Sequence, residues 1–383
     1  GAPRRTDWAC MNQPIAPSPR SDASLTELLA RAEMLLQSQP EAAAEATQAA
    51  LRLSPLDPRA NHIAAELQGV LGEPEAGAAR LRQLVQQHGK LAELGGQDDG
   101  AVAYIGRFGS AVCPLCGGSE AEATWAGNLS RTQRLDGHID PVRLWTRCNR
   151  CELLRVDNPV PAGALAAHNT HDTAAATPPE PDELQRRIRT HDADLRRIRE
   201  AGCGLAWSTD GQHSGPRVLE LGSGWGEFLA AAAWRGFEAT GVQACSIQAA
   251  WAERRLGSAL VHSPPDTFVH DSEQEAGTYE VVVWRGDLGE QADLMPTLRA
   301  LRRLLAPEGM LMVQASVLDH PLHRIKGNAA PEWRSVGRRV WFERPTLALA
   351  LIRAGLQPES SWDAEGCAGE IVVLARASNP DPA

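Results

Sequence analysis

The spacing of apolar positions changes along the chain, and each change predicts a different kind of structure. Over residues 24–87 apolar side chains recur at helical intervals in an alanine-rich text, which predicts packed amphipathic helices. Over 182–200, Leu184, Ile188, Leu195 and Ile198 share one helical face and six arginines occupy the others. That pattern fits a helix solvated on its basic sides. It also fits a cover over a neighbouring pocket. Beyond 215 short apolar runs alternate with helical ones. Residues 217–221, 238–242, 259–262, 279–284 and 310–314 read as strands, and 226–234, 246–256 and 292–305 as the helices between them. Tyr279–Trp284, YEVVVW, is apolar on both faces, as an interior parallel strand is. Residues 356–362 and 370–375 predict two closing antiparallel strands. Regular alternation of strand and helix gives an α/β fold with a mainly parallel sheet.

Within the helical segment Pro40-Glu41-Ala42 returns as Pro74-Glu75-Ala76, a shift of 34 residues. Thirty-four is the tetratricopeptide period, and 50–81 resembles that repeat. Two units are visible, fewer than usually stand alone, so the segment is expected to lean on the rest of the chain or on a second copy. It reads either as a surface for a protein partner or homodimer, or as a plain helical cap. The organisation that follows is a disordered N-terminus (1–22), a tetratricopeptide-like helical segment (23–95), a cysteine-bearing module (100–160) and an α/β domain (182–378). GGQDDG at 95–100 and the Pro-, Ala- and Thr-rich stretch 157–181 read as linkers.

Cysteines add a metal to the picture. Cys113 and Cys116 form one C-x-x-C pair, and Cys148 and Cys151 another. Each pair puts two thiolates within reach of one ion, and tetrahedral zinc takes four. The 31 residues between them, 117–147, make a longer gap than a usual zinc ribbon. Four ligands leave no open position, so the zinc is expected to be structural. The alternative is two reduced thiol pairs. Arg131, Arg134, Arg143, Arg147, Arg150 and Arg155, with His138 and nearby acids, read as a solvated face.

The chain is organised around RVLELGSGWGEF. A buried strand ends at Glu220-Leu221, glycines follow at 222, 224 and 226, and a helix starts with free N–H groups. A glycine at alternate positions lets a ligand approach where a Cβ would collide. The dinucleotide fingerprint G-x-G-x-x-G is not met, because Glu227 stands at its third glycine. Instead E-L-G-x-G-x-G resembles motif I of class I S-adenosylmethionine (SAM)-dependent methyltransferases. The resemblance covers about 100–378 and is closest to methyltransferases with an N-terminal zinc-binding module, a group that includes sugar and small-metabolite C-methyltransferases. It implies a Rossmann-like seven-stranded sheet. It also implies a SAM site built from Glu220, Gly222, Ser223, Gly224, Gly226, Gln243, Asp266 and Trp284. Gln243 stands where the family usually has an acid for the ribose hydroxyls, and a glutamine lacks that charge assistance. Asp266 lies where the family often contacts adenine.

Where relatives often carry a W-H-x-L-E-H-like run after strand four, this chain has WRGDLGEQ, which places Arg285, Asp287 and Glu290 toward the pocket. The segment WRSVGRRVWFERPTLALALIRAGLQ also looks like the family's, with Val340 following Arg339 where His is common. Transfer of a methyl to carbon or oxygen needs a base. His320 and His323 are the candidates, with Asp287 and Glu290 behind them; His262 and His270 read as structural or solvated. The expected activity is methyl transfer from SAM to a small-molecule acceptor, a sugar or secondary metabolite. The alternative is a degenerate methyltransferase fold that acts as a binding or scaffold protein. Against 38 basic residues stand 48 acidic ones, a formal charge of −10, which argues against a nucleic-acid partner. Cysteine usage without an export signal predicts a cytoplasmic protein, and no run suggests a membrane span.

Overall fold

The computed structural model describes residues 24–88, 112–131, 135, 139–157, 159–160, 165, 177–202, 215–286, 288–326, 331–364 and 369–378. The N-terminus expected to be disordered, the 95–100 linker, most of the 157–181 linker, Arg134, His138 and Asp287 lie outside the described residues. Contacts divide the chain into two compact units. One is Gly1–His168 with Leu322–Val340; the other is Asn169–Pro321 with Trp341–Ala383.

The first unit opens with four helices, α1 (Leu25–Leu35), α2 (Pro40–Leu53), α3 (Pro58–Leu71) and α4 (Pro74–His88). Ser24 starts α1 with a reciprocal capping box to Glu27, and Asp57 caps α3 through the Ala60 N–H; such caps satisfy donors the helix cannot. Leu28, Leu29, Ala32 and Leu36 pack against Ala43, Ala46, Ala50 and Ile63. Helices α3 and α4 approach closely at two small residues. A Cβ on Gly77 would run into the backbone nitrogen of Gly69. Three strands follow, β1 (Ala121–Asn128), β2 (Val142–Cys148) and β3 (Leu154–Val156), in a four-stranded sheet of order β1-β2-β3-β9 completed by β9 (Val340–Trp341). Ala65, Ala78, Leu81 and Leu84 of the helices share one core with Ala126, Val142 and Leu144 of the strands. The helical segment therefore leans on the cysteine-bearing sheet.

Alternation along β2 points Arg143 and Trp145 away from Leu144. On their side lies the excursion 331–340. Trp145 Nε1 donates to the Trp333 carbonyl at 2.9 Å, and Arg143 Nη2 donates to that of Val336 at 3.1 Å. The Trp333 ring stacks on Trp125 at 5.8 Å, and the Arg334 guanidinium lies over Trp125 at 5.1 Å. Three buried indoles are a large apolar area to remove from water. They group 322–340 with the first unit, inside a stretch the sequence reads as unbroken from 182 to 378.

The second unit begins with α5 (Pro181–Ala201). It continues through β4 (Arg217–Leu221), α6 (Glu227–Trp234), β5 (Glu238–Val242), α7 (Ser246–Leu256), β6 (Ala259–Val261), α8 (Pro265–Asp271), β7 (Tyr279–Trp284), α9 (Leu294–Leu304) and β8 (Leu305–Ser316). The short α10 (Pro321–Lys326) opens the excursion. After it come α11 (Arg344–Arg353), β10 (Leu356–Asp363) and β11 (Glu370–Ala377). The sheet has seven strands in the order β10-β11-β8-β7-β4-β5-β6. The five from β6 to β8 are parallel, and β11 runs antiparallel between β8 and β10. This is the α/β sheet expected from the sequence. The largest boundary difference is at β8, which starts directly after α9 and bends at Glu308, φ 61°. One sheet face is buried by Leu195 and Ile198 of α5 and Phe228 and Ala232 of α6 over Val218, Val281, Val283, Met310 and Leu374. Among the described residues no helix is long and apolar enough to cross a membrane.

Gly77→Val is expected to lower the stability of the first unit by about 1–3 kcal/mol, because the helix pair cannot part without opening the shared core. Chemical denaturation against the wild type measures it.

Candidate functional site

Strand β4 is flanked by β5 on one side and β7 on the other, so the chain leaves it in opposite directions. A crevice opens at the carboxyl ends of parallel strands at such a point. The glycine turn sits there. Gly222, Gly224 and Gly226 all have positive φ, 81°, 52° and 82°, a region L-side chains rarely adopt. A Cβ on Gly222 or Gly224 would meet nothing closer than 3.7 Å, whereas one on Gly226 would press on Ala252 at 2.9 Å. The first two glycines face space and the third packs on α7. The turn is stitched to β5: the N–H groups of Gly222 and Ser223 donate to the Val242 carbonyl at 2.9 and 3.2 Å. The Ser223 hydroxyl also points inward, donating to Val242 at 3.4 Å. Gly226 is the N-cap of α6 and supplies no side-chain cap, leaving the helix start available to a polar ligand.

Gln243 follows β5 and is buried. Its amide donates to the Gly224 carbonyl at 3.2 Å and to Gln248 Oε1 at 2.9 Å, and its carbonyl accepts from the Cys245 N–H at 3.3 Å. Both amide hydrogens are used, and one lone pair of the carbonyl remains. Gln243 thus braces the turn. Asp266 stands exposed in the first turn of α8. Gln291, in the amide orientation that satisfies both groups, donates to it at 2.5 Å. Trp284 ends β7 and is 2% exposed; its Nε1 has no hydrogen-bond partner and lies 3.2 Å from where a Cβ on Gly286 would sit.

Beneath the turn lies a buried ionic cluster. Glu220 is 1% exposed and contacts Arg285 Nε through Oε1 at 3.0 Å. Its Oε2 has no hydrogen-bond partner. The Arg285 guanidinium lies over the Phe228 ring at 4.8 Å and reaches Asp194 of α5 at 3.5 Å. Asp194 in turn accepts from Trp362 Nε1 at 3.0 Å. Two more ties hold α5 down: Arg187 to Glu227 at 3.3 Å, and Asp192 to Arg235 at 2.6 Å. Burial pushes the Glu220 carboxyl up to about 8, against the pull of Arg285. Burial, with Arg285 and Arg187 nearby, lowers His191 of α5 to about 3, so its imidazole is neutral. Asp194 and Trp362 were not read from sequence as site residues, and Arg285 was read only as a pocket-facing loop residue with no role toward Glu220. The available signal was a charged residue directly after a strand that is apolar on both faces.

At the end of β8, His320 is 7% exposed, with Nε2 3.6 Å from Asp363 Oδ1. Arg344 lies between Asp319, at 3.3 Å, and Asp363, at 3.8 Å. His323 is buried on α10, in the portion that belongs to the first unit. Glu290 is exposed in a short 3₁₀ turn. His262 is exposed and pairs with Glu253 at 3.3 Å.

In the first unit the four cysteine sulfurs of residues 113, 116, 148 and 151 lie within 4.8 Å of one another. Cys113–Cys151 is 3.6 Å and Cys116–Cys148 is 3.5 Å. Sulfurs at the corners of a zinc tetrahedron stand about 3.8 Å apart, given a Zn–S distance of about 2.3 Å. Each pair is folded into a tight turn, with Gly117 N–H on the Cys113 carbonyl and Glu152 N–H on that of Cys148, both 2.9 Å. Four soft donors in this arrangement fit zinc.

Residues 184–361 match a protein-family profile described as a methyltransferase domain. Among solved structures, the Burkholderia thailandensis 1,6-didemethyltoxoflavin-N1-methyltransferase, with bound 1,6-didemethyltoxoflavin and S-adenosylhomocysteine, is 20% identical. That similarity covers 63% of this chain and 98% of the other, with a TM-score of 0.42. A SAM-bound amino pentose methyltransferase from Micromonospora echinaspora, involved in calicheamicin biosynthesis, is 16% identical over 56% of this chain and 97% of that one, TM-score 0.36. No curated protein matches. The stretch that the profile matches runs from α5 into β10 and contains the five parallel strands of the sheet and the glycine turn.

An acid whose carboxyl is raised in the folded state contributes stability at low pH and loses it as pH rises. Wild type should therefore lose stability relative to Glu220→Gln between pH of about 4.5 and about 8. Paired denaturation curves across that range check it; parallel curves would contradict it.

Proposed function

We propose that this chain is a SAM-dependent methyltransferase acting on a small molecule, a sugar or secondary metabolite, at a carbon or oxygen. The observation that carries the reading is the glycine turn at the sheet's switch point, two of its glycines facing space above a buried acid–base pair. Glu220 would face the amino-acid head of SAM, and the backbone of Gly222 and Gly224 would let the ligand lie against the turn. The remaining carbonyl lone pair of Gln243 would take a ribose hydroxyl, Asp266 the adenine amine, and Trp284 would close the crevice from β7. SAM supplies a methyl on a sulfonium, already activated for in-line displacement. The protein then has to align the acceptor, exclude water and take a proton.

His320 is the base that the geometry favours. It sits at the carboxyl end of β8 in the same unit as the glycine turn, and Asp363 stands on its Nε2 side. Asp319 and Arg344 fix the surrounding charge. His323, Asp287 and Glu290 stand behind it as proposals from sequence. The cysteine cluster is read as a structural zinc site, closed to catalysis because all four positions are protein ligands. The helix pairs α1–α4 are read as tetratricopeptide-like, with a protein partner or a second copy as the ligand of their outer surface.

A second reading has its own observation. Gln243 spends both amide hydrogens inside the protein where the family offers a ribose-binding acid. If that lowers affinity below use, the domain is a scaffold and the helices carry the function. Turnover of SAM with any acceptor, above spontaneous hydrolysis, excludes this.

Three outcomes are expected. Gly224→Val fills the space above the turn and abolishes the thermal shift that S-adenosylhomocysteine gives the wild type; an unchanged shift moves the site elsewhere. His320→Ala lowers kcat by about 10²–10⁴ with KM for SAM little changed; equal kcat removes it as base. Metal analysis finds one zinc per chain, and Cys148→Ser loses it with a lower melting temperature for the first unit.

A further inference from the structure

We propose that Arg285 is a cofactor-binding residue, taking the α-carboxylate of the amino-acid head of SAM. The inference deepens the SAM reading above and rests on it. Residue 285 follows the last residue of β7, and its neighbour Gly286 has its backbone nitrogen 3.7 Å from where a Cβ on Gly222 would project. The main chain of 285–286 thus leaves β7 beside the open glycines, and the guanidinium lies with Glu220 under the turn they form. The Phe228 ring lies beneath it at 4.8 Å and covers one face of the guanidinium.

The Arg285 donors are poorly used. A guanidinium has five N–H groups in a fixed fork suited to a carboxylate. Here Nε is 3.0 Å from Glu220 Oε1 without the alignment of a hydrogen bond, and Nη2 reaches Asp194 only at 3.5 Å. The Arg285 side chain is 15% exposed, so water does little to replace the missing partners, and such groups are costly to leave unpaired. Glu220 is in the complementary position, with Oε2 buried and unpartnered.

An acid and a base side by side, each with an unused polar edge, match a zwitterion in charge. Carboxylate on Arg285 and ammonium on Glu220 satisfy both. The other charged and titratable groups around the pair are Asp194, His191 and Arg187 from α5 and Glu227 from α6. His191 is neutral, and Arg187 is held by Glu227 and by Glu183 on its own helix. That leaves Arg285 as the cation at the turn.

The test is calorimetric binding of S-adenosylhomocysteine and of its carboxamide, which keeps the adenosine, thioether and ammonium but removes the negative charge. Wild type is expected to prefer the acid by about tenfold to a hundredfold, the range for a hydrogen bond to a charged group. Arg285→Gln should bring the two ligands to similar affinity, and Arg285→Lys should keep part of the preference. Equal binding of acid and amide by the wild type overturns the assignment, as does a preference that survives in Arg285→Gln. A variant without a cooperative melt leaves the wild-type comparison to decide. Failure of the wild type to bind either ligand is a different result, and it removes the SAM reading itself.

Discussion

The second unit is organised around a carboxylate placed where water cannot reach it. Glu220 is at the end of the central strand β4, 1% exposed, directly under the glycine turn. Burial favours the neutral form of such an acid, and Arg285 at the end of the adjacent strand offsets only part of that. The same guanidinium reaches α5 through Asp194, and Asp194 reaches β10 through Trp362. One acid at the switch point thereby links the turn, the covering helix and the far edge of the sheet. Main chain bare of Cβ atoms above it provides the room. The buried pair below it provides a fixed cation, Arg285, and a carboxyl whose proton burial holds on to.

The first unit solves a different problem. Four helices are too few to bury their own surface, and the four-stranded cysteine-bearing sheet is smaller still. Sharing a core through Ala65, Leu81, Ala126 and Leu144 gives both enough apolar area to fold. The Trp125, Trp145 and Trp333 cluster on the opposite face adds a second layer. Four thiols gathered at one end of the sheet are a third device of the kind small modules use.

Much of the second unit was legible because its strands are short apolar runs bounded by glycine, and because a turn with three alternate glycines admits few alternatives. The strands ending at Val242 and Trp284 and the helix 246–256 were readable to the residue. The association of 322–340 with the first unit was not, since it depends on an indole of residue 333 meeting one of residue 125, a contact between distant parts of the chain that no local period encodes. Nor was the use of Gln243. The sequence places a glutamine at the ribose position after β5, but not the three hydrogen bonds that tie it to Gly224, Gln248 and Cys245. Arg285 was visible as a residue facing the pocket, but its partnership with Glu220 depends on β4 and β7 being neighbours in the sheet, which sequence order alone does not state.

The most direct test of the account is a crystal structure of the full chain grown with S-adenosylhomocysteine. Ligand density is expected against Gly222 and Gly224, with its amino-acid head over Glu220 and its adenosine toward β5. A crevice closed by protein side chains, or ligand bound away from the carboxyl ends of β4, β5 and β7, would contradict it.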